Sequence, residues 1–135
     1  MFGKNEAAKI ILRVFLGATF LIHGLAKFQD GIENTVGFFE SLGLPGFTAY
    51  MVALIELIGG IAIVLGVGTR IISILFAIIL AVAIVKVKLS VGFLGNGQMA
   101  GYELDLALMA ISIYLAATKN SFLALDNILF RSEKA

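Results

Sequence analysis

A chain of 135 residues that is 60% hydrophobic, 14% charged and +1 in formal net charge is too apolar for a soluble domain of ordinary composition. The near-neutral charge leaves no electrostatic footprint for nucleic acid. Cys is absent and His23 is the one histidine, which excludes disulfide exchange, a thiolate metal centre, and bis-histidine ligation of haem or zinc within one chain.

The first apolar run, from about Ala7 to Lys27, approaches the roughly 20 residues that a helix needs to cross about 30 Å of hydrocarbon. Arg13 interrupts its apolar core and no small-x-small cleavage pattern follows, so a membrane span is expected rather than a removed signal. The connection from Phe28 to Gly46 is too long to be a simple turn. Ile32, Val36, Phe39 and Leu42 form an approximate i, i+4, i+7, i+10 stripe, with Glu33 and Glu40 off it and Gly43 and Pro45 closing the segment. That pattern predicts an interfacial amphipathic helix. A second span runs from about Phe47 to Gly66 and a third from about Arg70 to Lys88. The four residues Gly66-Val67-Gly68-Thr69 between them are so few that these helices must be antiparallel neighbours. Ser90 to Gly101 is glycine-rich, with a tight turn expected at Asn96-Gly97, and suits a mobile cap. A fourth span runs from about Gly101 to Thr118. Small residues at Ala49 and Ala53, Ala62 and Gly66, Ala77 and Ala81, and Gly59-Gly60 suit close helix packing.

These elements predict one all-α domain over residues 1–135, an integral membrane four-helix bundle with spans at about 7–27, 47–66, 70–88 and 101–118. Lys4, Lys9, Arg13, Arg70, Lys119, Arg131 and Lys134 fall on one side; Lys27, Lys86 and Lys88 fall on the other. The excess places both termini in the cytoplasm and a lipid bilayer around the chain.

Arg13, His23, Lys27, Glu56, Lys86, Glu103 and Asp105 stand inside or at the ends of these spans. A charge at mid-bilayer costs roughly 2.5–3.5 kcal/mol on insertion scales, so such groups face protein or a water-filled cavity. His23 and Lys27 are four apart and share a helix face with Phe20. Glu56, nine residues into the second span, lies about 14 Å from its outer end. Arg13 is long enough to reach it, and an Arg13–Glu56 structural ion pair is expected. Glu103 and Asp105 are about 200° apart on a helix; Asp105, the deeper, is assigned inward, and Glu103 to the rim with Lys86 or Lys88. A polar pocket is therefore expected in the outer half, built by His23, Lys27 and Asp105 with Glu56 below them. No metal-ligand, haem, flavin or nucleotide motif is present.

The run Arg13-x3-Gly17-x2-Phe20-Leu-Ile-His23-Gly-x2-Lys27, followed by Gly43-Leu-Pro45, Glu56-Leu-Ile-Gly-Gly60, Gly68-Thr-Arg70, Gly92-Phe93 and Gly101-Tyr102-Glu103, resembles the DoxX family of bacterial four-helix membrane proteins across nearly the whole chain. The resemblance implies a link to quinones, in an oxidoreductase or its membrane subunit acting in aromatic, quinone or thiol stress. Under that reading His23 hydrogen-bonds or protonates a quinone carbonyl, Lys27 stabilises developing negative charge, and Glu56 and Asp105 carry protons. Phe20, Phe93 and Tyr102 would pack on the ring. No residue here carries electrons, so a soluble or membrane oxidoreductase partner would supply them; a homo-oligomer is also compatible. The competing reading is a non-catalytic binding, transport or scaffold protein for a lipophilic molecule or a partner enzyme.

Overall fold

The computed structural model describes residues 3–118, 124 and 126. The expected inner-side cations Lys119, Arg131 and Lys134 lie outside the described residues. The architecture is all-helical: α1 (Lys4–Gln29), α2 (Ile32–Ser41), α3 (Phe47–Leu65), α4 (Thr69–Ala83) continued by a π-helical turn (Ile84–Lys88), and α5 (Glu103–Ala117). No strand occurs among the described residues; Gly95 and Ala100 form an isolated antiparallel bridge. Among the described residues three helices, Lys4–Gln29, Phe47–Leu65 and Thr69–Lys88, are long and apolar enough to cross a membrane; the run expected as a fourth span is the 15-residue α5.

The helices pack as two antiparallel pairs, α1 on α3 and α4 on α5, with fewer contacts between the pairs. Glycine sets the first interface. A Cβ at Gly60 would lie 2.6 Å from the Leu21 backbone nitrogen and 2.7 Å from the Gly17 carbonyl, and one at Gly24 would lie 2.6 Å from the Leu57 nitrogen. Backbone therefore touches backbone, which is how membrane helices gain packing energy when lipid offers no hydrophobic drive. The neighbouring Gly59 turns the other way, toward Ile72 and Phe76 of α4. Adjacent glycines thus serve two different helices. Of the expected small pairs, Ala49 and Ala53 are fully buried, whereas Ala81 is exposed.

Leu16, Phe20, Ile63, Phe76, Leu80, Leu108 and Leu115 form the core. The Phe20 and Phe76 rings stack across the two pairs with centroids 3.8 Å apart and planes at 12°. The expected short α3–α4 link is confirmed: Gly66 takes φ 78°, the Val67 N–H donates to the Ala62 carbonyl and the Gly66 N–H to that of Ile63, a Schellman closure that ends α3 abruptly. Asp126 reinforces it by accepting a hydrogen bond from the Gly68 N–H at 2.8 Å.

The amphipathic helix expected after α1 is α2. Its stripe residues Ile32, Val36, Phe39 and Leu42 are half-buried, with Glu33 and Glu40 exposed. It lies along the start of α3, with Gly46 beside Val36 and Glu40. The glycine-rich connection expected as a cap is a hydrogen-bonded hairpin. Asn96 Oδ1 accepts from the Gln98 and Met99 N–H groups, and the Gly92 and Phe93 carbonyls accept from the Tyr102 and Glu103 N–H groups. A Cβ at Gly95, where φ is +98°, would lie 2.4 Å from the Met99 carbonyl oxygen. Gly95→Ala is expected to lower stability by about 1–3 kcal/mol, read as a lower midpoint in thermal unfolding of the detergent-purified protein.

Candidate functional site

A cavity of about 920 Å³ opens between the two helix pairs at the end that carries α2. That volume is at the upper end of the ordinary range for ligand pockets. Its walls are apolar: Met51, Val52 and Ile55 from α3, Ile78, Ile79 and Val82 from α4, Phe38 and Phe39 from α2, and Leu42 just after it. Ile78 and Val82 are 55% and 42% exposed, so the cavity communicates sideways with the apolar outer surface.

The polar groups in it come as two ion pairs on opposite walls. On one wall, Lys27 Nζ of α1 donates to Glu56 Oε1 of α3 at 2.7 Å. Glu56 is 5% exposed, and removing either member of so buried a pair leaves the other without its partner. His23, one turn before Lys27 on α1, lines the same cavity. Its ring makes no hydrogen bond to any described residue, although its neighbours on that wall are paired. On the other wall, Lys88 Nζ, on the π turn, lies 3.2 Å from Asp105 Oδ2 of α5. That contact is ionic without hydrogen-bond alignment, since the buried Oδ2 has no hydrogen-bonding partner. Lys86 also lines the cavity.

The expected Arg13–Glu56 pair is not formed. The Arg13 guanidinium instead donates to the Val64 carbonyl at 3.3 Å and lies beside Gly66. The antiparallel register explains the difference: Val64 is eight residues beyond Glu56, about 12 Å along α3, while the first turns of α3 overhang the end of α1 and pack on α2. The last turn of α1 therefore meets Glu56. Glu103 is exposed, and Lys88 takes Asp105 rather than Glu103. Lys88, expected to be a dispensable rim residue, is a wall residue of the cavity. The signal for it was Asp105 itself, because an inward carboxylate on α5 requires a cation at its own level.

The expected ring-packing residues are divided. Phe20 is 3% exposed with one face taken by Phe76, and reaches the cavity by what remains. Phe93 and Tyr102 pack edge-on against each other with centroids 5.6 Å apart at the neck of the hairpin, and neither lines the cavity. No group of three or more metal-ligating side chains occurs among the described residues.

Long apolar helices that gather paired charges and an unpaired imidazole around one crevice mark a helical membrane protein with a polar site among its helices. The DoxX family model matches residues 8–89, and the chain belongs to the DoxX family. It is 48% identical over 129 residues to a Bacillus subtilis (strain 168) protein named "Putative oxidoreductase CatD", covering 96% of this chain and 92% of that one. It is 29% identical over 123 residues to "Uncharacterized membrane protein Rv3486" of Mycobacterium tuberculosis (strain ATCC 25618 / H37Rv), covering 84% of this chain and 76% of that one. No solved structure matches.

Proposed function

We propose that this DoxX-family chain is the quinone-binding membrane subunit of an oxidoreductase, a four-helix bundle in the bacterial cell membrane with both termini cytoplasmic. The unpartnered His23 beside the Lys27–Glu56 pair in an apolar crevice carries this reading. A ring that enters from the apolar side would leave its own polar atoms unsatisfied unless a donor stood at the end of the path, and His23 is that donor. The His23 N–H donates to a ring oxygen, and the Lys27 ammonium favours the charge that develops there on reduction. Glu56, hydrogen-bonded to Lys27, supplies a proton route to the same point. The apolar walls of α3 and α4 exclude water from the ring. Electrons come from a partner subunit, consistent with the name oxidoreductase carried by the Bacillus subtilis relative, and the ring stress chemistry of quinones or other aromatics fits such a site.

Purified protein titrated with menadione tests the reading. Binding is expected, and His23→Ala is expected to weaken it by about tenfold, the worth of one hydrogen bond of roughly 1.4 kcal/mol. Its unfolding midpoint should stay unchanged, because the imidazole holds no protein partner. Glu103→Gln, at an exposed position, should leave both readouts alone. Binding without reduction in the presence of co-purified partners would favour a carrier or scaffold role, and no binding at all would end the quinone reading.

A further inference from the structure

Lys88 reaches the crevice only because the helix carrying it changes geometry. Thr69, Ser73, Phe76, Leu80 and Ile84 form the buried face of α4. Continued at 100° per residue, Lys88 would fall roughly 80° away from the middle of that face. The π turn, in which the Leu89 N–H donates to the Ile84 carbonyl at 2.9 Å, absorbs extra residue length and swings Lys88 back toward α5. Asp105 then holds it at 3.2 Å, without an aligned hydrogen bond. The ammonium has three donors, and this contact leaves them free to meet an acceptor in the cavity. The side chain of Lys88 is 23% exposed, so part of it is open to the cavity it lines. Its wall, built by the π turn and α5, faces the wall of α1 and α3 that holds His23, Lys27 and Glu56.

We propose that Lys88, positioned by the π turn and by Asp105, is a second oxygen-binding point, so that the crevice selects rings bearing two oxygens on opposite sides and binds them across the two helix pairs. This rests on the quinone-site reading above and adds which side chain meets the second oxygen. A ring with a single oxygen satisfies the His23 wall alone and gains nothing from Lys88, so the preference for the two-oxygen ring is the worth of that second contact.

The experiment compares menadione, with two opposed carbonyls, and alpha-naphthol, with one hydroxyl, on the full-length detergent-purified protein. The wild type is expected to bind menadione about tenfold more tightly. Lys88→Gln should bring menadione down to the level of alpha-naphthol and leave alpha-naphthol unchanged, whereas His23→Ala should weaken both. If Lys88→Gln does not fold, Lys88→Gln with Asp105→Asn removes both charges together and should show the same loss of discrimination. Menadione binding that survives Lys88 replacement, or equal weakening of both ligands, overturns the proposal while leaving the quinone site standing. A wild type that binds neither compound overturns the site and the proposal together.

Discussion

Glu56→Leu is expected to destabilise the protein by about 3–5 kcal/mol, and Lys27→Met in the same chain to restore most of that loss. The single change leaves an ammonium on an apolar wall with its 2.7 Å partner gone. The double change removes both ions and fills the space with side chains suited to the surroundings. Denaturant unfolding of the detergent-purified single and double variants measures it. A recovered double variant that no longer binds menadione would separate the two roles of the pair, because stability would have returned without the cation and carboxylate that the site needs. A double variant as unstable as the single one would show that the pair holds α1 to α3 through its geometry and not merely through mutual neutralisation.

The second large effect is at the α1–α3 contact. Gly60→Ala is expected to cost about 1–3 kcal/mol by overpacking, and Gly60→Val more, with little folded protein recovered. The atoms that a new Cβ would strike are backbone, the Leu21 nitrogen at 2.6 Å and the Gly17 carbonyl at 2.7 Å, so no rotamer change relieves the clash. The two helices would have to separate, carrying Lys27 away from Glu56. Gly37, in the middle of α2, has nothing within 4 Å of a built Cβ. Gly37→Ala should therefore stabilise by about 0.5–1 kcal/mol through helix propensity alone. The same substitution thus has opposite signs at two helical glycines, and thermal unfolding midpoints of the two variants check both.

Much of this arrangement was legible in the chain. Three of the four expected apolar runs match α1, α3, and α4 with its π turn nearly in bounds, whereas the fourth, 101–118, is the 15-residue α5, which falls short of the spanning helices. The 3.6-residue stripe from Ile32 to Leu42 announced α2. Asp105 was assigned inward, and it is buried. Arg13 and Glu56 were paired by depth counted along single helices, but how far α3 overhangs α1 is decided by α2 and by glycine contacts between helices. Lys88 was assigned to the rim as an interfacial anchor at the outer end of its span, whereas the π turn Ile84–Lys88 carries it to Asp105. Tyr102 and Phe93 were expected on a bound ring under the quinone reading, yet at the neck of the hydrogen-bonded hairpin they pack on each other.

By itself the sequence determined that this is an apolar helical chain of a membrane family, without cysteine and with ionisable groups set within or at the ends of its apolar runs. Hydrophobic length and helical period are local properties, so they survive without knowledge of neighbours. Only the tertiary structure decided which charges meet: Lys27 with Glu56, Lys88 with Asp105, and His23 left open between them. An ion pair needs both partners within a few ångströms, and that distance depends on helix overhang and on one π turn. Neither can be counted off along a single helix.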